Sequence, residues 1–245
     1  MLEALNSAAA GMAAQQQRLD ATANDLANTN TTGYKHQRVG FRDLVYQQAG
    51  RSSSQGVRTG AGSAAVDAGR AFAQGVLQRS DRPLDVAIQG EGFFRIKLPD
   101  GRPALTRDGN LHVDGARNLT TSTGALVQPA IKIPDGVTED QIVIGPDGTV
   151  TAAGRRVGRL DLVTVRSQAG LLSAGDNAFV TSPDSGAAVA APRATSLSQG
   201  ALEASNVDIA EAMVQIIESQ RAFQLSSKAI TTADEMMGIA NGVKR

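Results

Sequence analysis

The sequence contains no cysteine and no tryptophan, and its only aromatic residues are two tyrosines and six phenylalanines. The absence of cysteine excludes disulfide bonds and thiolate chemistry. With so few rings, a core has to be built mainly from Ala, Val, Leu and Ile, which bury less area per residue. Because 41% of the residues are nonetheless apolar, the chain is too hydrophobic to be disordered. We expect it to depend on neighbouring molecules for part of its burial.

The chain also lacks net charge, since 24 basic residues balance 24 acidic ones. It therefore has no overall field that would attract nucleic acid or an anionic membrane, and neither is predicted as a partner. No run of apolar residues approaches the length of a membrane span. The N-terminus has no basic and then apolar stretch typical of a signal peptide. If the protein works outside the cytoplasm, we expect export without a cleaved signal.

No pattern of a catalytic, cofactor or metal site is present. Gly90 and Gly92 follow an apolar run but lack the third glycine and the helix of a dinucleotide site, and there is no Walker or Gly-x-Ser-x-Gly pattern. His36 and His112 are far apart and have no His or Cys partner at ligand spacing. We therefore nominate no catalytic residue, no cofactor and no metal ligand, and we predict that the protein is not an enzyme.

The last forty residues contain a heptad repeat. Five large residues recur every seven positions, and a small residue follows each of them by three: Ile209, Ile216, Phe223, Ile230 and Met237 are the large ones, and Ala212, Ser219, Ser226, Ala233 and Ala240 the small ones. This alternation places both sets along one stripe of a single long helix. The small residues would let a second helix approach closely.

A matching repeat lies at the other end of the chain. Its large residues are Leu5, Met12, Leu19 and Leu26, and Leu2, Ala9, Gln16 and Ala23 alternate with them. Either helix alone could be an ordinary amphipathic helix on a globular core. Two seams of equal period at opposite ends favour a coiled-coil-like domain formed by both termini. The large residues of the two seams are our candidate assembly interface.

The middle of the chain is typical of β structure. Short apolar runs alternate with turn signals, and five Asp-Gly pairs, which favour tight hairpins, begin at Asp100, Asp108, Asp114, Asp135 and Asp147. The predicted fold class is α+β with a central all-β domain of about ten short strands. We divide the chain into an N-terminal helix (1–30), a partly ordered linker (31–74), the β domain (75–196) and a C-terminal helix (197–245).

The linker is basic. Between Thr31 and Gly60, the basic residues Lys35, Arg38, Arg42, Arg51 and Arg58 stand against a single acid, Asp43. Such a segment can bind nucleic acid, but here the bases are interleaved with Gly, Ser and Gln, and the terminal helices are acidic. Contact between neighbouring copies of one chain fits this distribution better, and Arg42 is included in the candidate interface.

Several motifs resemble those of the rod and hook proteins of the bacterial flagellum. The N-terminal helix is followed by a characteristic turn, and motifs in the middle and C-terminal parts also match: Ala23–Asn28, Thr32–Lys35, Asp85–Ile88, Gly90–Phe94, Thr106–Gly109, Leu202–Asp208 and Gln220–Phe223. At the end of the first helix, Asn28 can bond to freed backbone groups, and Gly33 can take the left-handed conformation that turns the chain away. Both residues join the candidate interface.

The resemblance implies a structural subunit of the flagellar basal-body rod, most similar to the distal rod branch. Such a subunit would polymerise helically into a hollow drive shaft, with neighbouring rod and hook proteins and the flagellar export apparatus as further partners. A proximal rod or hook-type branch of the same family is the alternative. From another class, a β-domain hydrolase or carbohydrate-binding module with helical oligomerisation arms is a further alternative, although the low aromatic content disfavours a sugar-binding platform.

Overall fold

The structure is a computed structural model that describes residues 2–44, 47–48 and 58–242. The architecture is α+β, with one helix at each end of the chain and short strands between them. The helices are α1 (Leu2–Ala27) and α2 (Ile209–Gly242). The strands are β1 (Gln37–Asp43), β2 (Gln47–Gln48), β3 (Arg58–Thr59), β4 (Ser63–Arg70), β5 (Leu77–Arg79), β6 (Val86–Gln89), β7 (Phe93–Lys97), β8 (Pro103–Thr106), β9 (Leu111–Val113), β10 (Leu119–Thr121), β11 (Leu126–Gln128), β12 (Ile142–Ile144), β13 (Thr149–Ala152), β14 (Arg155–Arg159), β15 (Leu162–Thr164), β16 (Leu172–Gly175), β17 (Ala178–Val180), β18 (Val189–Ala190), β19 (Ser196–Gln199) and β20 (Ala201–Glu203).

The chain forms two compact units whose boundaries differ from the division made on the sequence. The helix unit contains residues 1–27, 37–68 and 208–245, and the β unit contains residues 28–36 and 69–207. The turn after α1 and the strands β19 and β20 are thus parts of the β unit. The β unit has sixteen strands, β5 to β20, in its described residues, where about ten were expected, because many of them are only two to four residues long.

In the helix unit, α1 and α2 run antiparallel. A Cβ placed on Gly11 would lie 3.9 Å from Ser226 Oγ, and Arg18 lies 3.5 Å from Glu218, so the residue numbers rise along one helix as they fall along the other. α2 begins after Asp208, whose carboxylate accepts hydrogen bonds from the amides of Ala210 and Glu211, as an N-cap does. Strands β1 and β4 pair beside the helices.

Neither helix in the described part of the chain is both long and apolar enough to cross a bilayer.

The β unit is built around a nine-stranded sheet. Its main path runs in the order β16-β17-β8-β7-β11-β10-β9, and β15 joins it by pairing with β7 and β18. A three-stranded sheet, β12-β13-β14, and two strand pairs, β19-β6 and β20-β5, complete the unit. All of the registered pairings in these sheets are antiparallel, as short hairpin connections require.

The core of the β unit is mostly aliphatic. Its largest cluster consists of Leu84, Val86, Ile88, Phe94, Leu111, Leu119, Val127, Ile131, Ile133, Ile142, Ile144, Val150, Ala152, Leu160 and Leu197. A second cluster holds an edge-to-face trio of rings, in which Phe72 lies 5.4 Å from Phe93 and 5.1 Å from Phe179 between ring centroids. Four of the six phenylalanines therefore stabilise the β unit.

The Asp-Gly pairs do not all form hairpin turns. Gly101, Gly136 and Gly148 have the positive φ that a tight turn requires, and Asp114 lies in the turn between β9 and β10, where its carboxylate accepts from the amide of Asn118. The expectation was wrong for Asp108-Gly109. Its glycine is needed for close packing, because a Cβ there would lie 1.7 Å from the carbonyl oxygen of Val86.

Candidate assembly site

The predicted seam residues lie at the edges of the contact between α1 and α2. Among the large residues, Leu5, Met12, Leu19, Leu26, Ile216, Ile230 and Met237 are half-buried, whereas Ile209 and Phe223 are exposed by 47% and 40%. The small residues of α2 are deeper, with Ala212 and Ser219 fully buried. On α1, the buried residues within the part whose side chains the structure describes, residues 5–27, are Ala14, Thr22 and Asp25, which lie outside the seven-residue repeat.

The helix contact includes polar groups. Arg18 on α1 pairs with Glu218 on α2, and its guanidinium lies 5.9 Å from the ring centroid of Phe41 on β1. Ser219 is buried, and its hydroxyl has no hydrogen-bond partner among the described residues. Gln16 is exposed and donates to Asp20 in its own helix. Arg18 therefore links three elements of the helix unit.

The side of α2 that points away from α1 is exposed, and it carries large apolar side chains between polar ones such as Arg221 and Lys228. It carries six large side chains that are each exposed by about half or more: Met213, Val214, Ile217, Leu225, Met236 and Ile239. At 100° per residue, these positions lie on the side of α2 opposite Ala212 and Ser219. A surface helix normally presents charged or polar residues on that side. These six apolar side chains define what we call the outer face of α2, which is exposed and available to a further partner.

The basic linker residues lie in different environments. Arg42 is exposed on β1, and Arg38 donates to the carbonyl oxygen of Ala68 across the β1–β4 pair. Arg51 and most of the Gly- and Ser-rich link that includes it lie outside the described residues. Lys35, which had been grouped with these surface bases, is completely buried.

Lys35 belongs to a buried ionic triad with Arg107 and Glu203. Lys35 Nζ donates to Glu203 Oε1, and Arg107 lies 3.1 Å from Glu203 Oε2. All three side chains are at most 2% exposed. They come from three of the seven motif segments that carried the family resemblance, Thr32–Lys35, Thr106–Gly109 and Leu202–Asp208. The fold thus brings the N-terminal, middle and C-terminal motifs together at one place, which we call the junction.

Backbone contacts complete the junction. Gly33 donates to the carbonyl oxygen of Glu203 at 2.8 Å, and the amide of His36 donates to the side chain of Asn206 at 2.9 Å. Gly33 has φ of 68°, and a Cβ there would lie 2.8 Å from the amide nitrogen of Asp108. Asn28, at the end of α1, accepts a hydrogen bond from the hydroxyl of Thr31. The turn after α1 is therefore held against the segment that precedes α2.

Burial shifts the pKa values of three charged groups at the junction. It lowers the pKa of Lys35, although the hydrogen bond to Glu203 opposes this effect, and it lowers the pKa of Arg107. It raises the pKa of Asp108, whose carboxylate accepts from the hydroxyl of Thr32 and the amide of Asn110. Because two cations share one carboxylate, removal of Glu203 would leave two buried positive charges, a situation that typically costs about 3–5 kcal/mol.

All three triad residues lie within motifs of the sequence, but their spacing does not identify them as one network. Lys35 was counted in a basic linker, and Arg107 stood beside an Asp-Gly pair that was interpreted as a turn. A usable signal is present in the sequence, since each of these charged residues lies in or next to residues suited to burial, such as Tyr34, Ala104 or Ala201. Buried charges are nearly always paired. That rule would have suggested a search for partners among the motifs.

Within the described residues, no group of three or more His, Asp or Glu side chains is arranged as metal ligands would be. The three charged side chains of the junction are buried. Its polar groups bind one another and nearby backbone carbonyls, such as those of Ala73 and Gly90. The arrangement is suited to holding chain segments in place.

Comparison with known proteins gives matches to flagellar families along most of the chain. Residues 5–35 match the family described as flagella basal body rod protein, and residues 87–152 match the flagellar hook protein FlgE/F/G D1 domain. Residues 198–243 match the flagellar basal body rod FlgEFG protein C-terminal family. The first and last of these matches contain Lys35 and Glu203, and the middle one contains Arg107.

Relatives match over the full length. The flagellar basal-body rod protein FlgG of Borreliella burgdorferi is 40% identical over 264 residues, which cover 100% of both chains. FlgG of Caulobacter vibrioides is 40% identical over 256 residues, covering 96% of this chain and 97% of the relative, and FlgG of Bacillus subtilis is 36% identical over 267 residues, covering 100% of both. The chain therefore belongs to the flagellar basal-body rod protein family.

Proposed function

We propose that this protein is a structural subunit of the flagellar basal-body rod that polymerises helically into a hollow shaft and transmits torque from the motor to the hook. Several relatives that match over the full length carry the FlgG name at 36–40% identity, whereas the flagellar hook-basal body complex protein FlhP of Bacillus subtilis is 34% identical over the full length. The higher identities favour the distal rod over the proximal rod or hook-type alternative. The observation that carries the proposal is the exposed outer face of α2. The hydrolase or carbohydrate-binding alternative gains no support from these relatives.

The two sides of α2 are suited to two different contacts. The inner side has small residues, Ala212 and Ser219, that pack against α1 of the same chain, while the outer face has larger and more exposed side chains. We infer that the outer face packs against helices of a second copy. We propose that the outer face meets a different surface of the second copy, which makes the contact heterologous, and heterologous contacts that do not close generate helical filaments.

The partly buried seam residues complete this interface. We propose that α1 and α2 form a coiled-coil-like pair, and that the exposed parts of its large residues, including Leu5, Leu19 and Phe223, pack against neighbouring subunits together with Arg42 on β1. Neighbouring rod and hook proteins would be contacted at the ends of the polymer. We place the protein in the rod of the basal body, reached through the flagellar export apparatus without a cleaved signal peptide.

The proposal is tested by substituting Leu225, the most exposed residue of the outer face at 72% exposure. Leu225→Glu places a charge on this face without removing a buried contact within the chain. We expect the thermal unfolding of the dilute protein to change little, whereas filaments that wild type forms at high concentration should be lost, as measured by sedimentation and electron microscopy.

The matched control is Gln220→Glu, which introduces the same charge at an exposed polar position of the same helix. We expect this variant to form filaments. If Leu225→Glu polymerises as wild type does, the outer face of α2 is not an interface. If the wild-type protein forms no filament at any concentration, self-assembly itself is refuted.

A further inference from the structure

We propose that Glu203 is the positioning residue of the junction: it fixes the segment that leaves α1 and the segment that leads into α2 in one arrangement within the β unit. The proposal rests on the proposed function only for its effect on the polymer, since its effect on the junction can be measured in the dilute protein. Nothing in the family matches assigns this role to the residue.

Glu203 contacts all of the segments that meet at the junction. Its side chain accepts hydrogen bonds from Lys35, from Arg107 and from the backbone amide of Gly75. Its backbone carbonyl oxygen accepts from the amide of Gly33. Glu203, which lies in strand β20, is thus hydrogen-bonded to three other segments: the turn after α1, the loop after β8 and the segment that leads into β5.

The two cations extend this network to the backbone. Lys35 Nζ also donates to the carbonyl oxygen of Ala73 at 2.8 Å, and Arg107 donates to that of Gly90 at 3.0 Å. Three residues after Glu203, Asn206 donates to the carbonyl oxygens of Ala71 and Ala73 and accepts from the amide of His36. The connections to both helices are therefore held side by side by directional bonds.

An ionic triad is not the most stabilising way to fill this volume. Replacement of a buried ion triad by well-packed apolar residues of similar size is often neutral or stabilising. Hydrogen bonds, however, define direction in a way that apolar contacts do not. We infer that the triad serves to select one conformation of the junction, and that an apolar junction would hold the same segments less specifically.

This specificity has a consequence for a helical polymer. Every subunit has to present its helices at the same angle, because an angular error in one subunit is passed to the next along a heterologous lattice. Because the connections to α1 and α2 both start from the junction, a single arrangement of the junction limits such errors. A junction that samples several arrangements would give filaments with irregular helical order, although each subunit remains folded.

The experiment compares the full-length wild type with two variants and a control. Glu203→Gln removes the carboxylate and leaves the cations of Lys35 and Arg107 buried. The triple variant Lys35→Met, Arg107→Met and Glu203→Leu replaces the whole triad by apolar side chains. The control is Asp100→Asn, which breaks an exposed ion pair with Arg102 in a turn of the same unit.

Three quantities are measured: the thermal unfolding of the β unit, the exchange rates of the amides of Gly33, His36, Gly75 and Asn206, and the helical order of the filaments in electron micrographs. For the triple variant, we expect cooperative unfolding near the wild-type temperature and filaments of irregular order. We also expect exchange at these four amides to be at least about tenfold faster, which corresponds to a loss of about 1.4 kcal/mol of local protection. Asp100→Asn should match wild type in all three.

Each outcome decides the proposal. Wild-type exchange at the four amides of the triple variant would overturn it, and so would loss of the cooperative unfolding of that variant, because the triad would then act through stability alone. Cooperative unfolding at a lower temperature in Glu203→Gln, combined with a triple variant that is stable but loosened at the junction, supports it. A wild-type protein that forms no filament refutes the proposed function, and the exchange data then judge the positioning role by themselves.

Discussion

The close packing of Gly33, in the turn after α1, against the backbone of Arg107 and Asp108 gives a quantitative test of the junction. Gly33 has φ of 68°, and a Cβ there would lie 2.8 Å from the amide nitrogen of Asp108 and 2.9 Å from the carbonyl carbon of Arg107. Gly154 has a similar φ of 77° but has nothing within 4 Å of a Cβ. The substitutions Gly33→Ala and Gly154→Ala therefore share the same backbone strain and differ in the space around the added methyl group.

The two effects can be separated by magnitude. A non-glycine residue in the left-handed region costs about 1–2 kcal/mol, and both variants incur this cost. At Gly33 the new methyl group also meets backbone atoms that cannot rotate away, and such overpacking costs about 1–3 kcal/mol more. We expect Gly154→Ala to lower the free energy of unfolding by about 1 kcal/mol and Gly33→Ala by about 3 kcal/mol.

The measurement is urea or thermal unfolding of the full-length chain, monitored by far-UV circular dichroism at a concentration where no filament forms. For a unit of this size, each kcal/mol corresponds to a shift in unfolding temperature of about 2–4 °C. Equal effects of the two substitutions would refute the reasoning, because they would show that residues 28–36 do not pack against the loop after β8 as the structure has them.

Two further predictions concern the β unit. Asp108→Asn should raise the free energy of unfolding at pH 7, because burial and the charge of Asp85 raise the pKa of Asp108 in the folded state. Wild type regains this stability as the pH falls through the raised pKa towards the unfolded value of 3.8, so the two stability curves should converge in acid, and a constant difference between pH 7 and pH 4 in urea unfolding would contradict the assignment. Hydrogen exchange of the dilute monomer should show protection at residues 28–36 and 69–207 and fast exchange in both helices; fast exchange at residues 28–36 would contradict their place in the β unit.

The overall architecture follows from periodicity in the sequence. The terminal seven-residue repeats predict the two helices, and the alternation of short apolar runs with Asp-Gly pairs predicts the β region between them. The number of strands was harder to predict, because strands such as β18 and β5 are only two and three residues long and leave almost no periodic signal in the sequence. Their pairing depends on partners that are distant in the sequence, such as β20 for β5.

The junction could not be predicted from spacing alone. Lys35 and Glu203 are separated by 168 positions, and no local pattern indicates that one neutralises the other. The left-handed conformation expected for Gly33 is confirmed, since a helix-ending turn requires it locally. Gly109 was misinterpreted for the opposite reason: its local dipeptide is typical of a turn, but tertiary contact with Val86 determines its environment.

The distribution of aromatic and polar residues explains why the two units depend differently on neighbours. The β unit contains Phe72, Phe93, Phe94 and Phe179 in its core or packed against it, and the junction satisfies its buried charges internally. The helix unit has Phe41 and Phe223 as its phenylalanines, and both are exposed by about 40%. A helix pair that buries alanine and serine while leaving its largest apolar side chains exposed gains little stability from its own contacts. We therefore expect the β unit to fold within one chain, and we propose that the helix unit reaches its full burial only when further copies cover the outer face of α2.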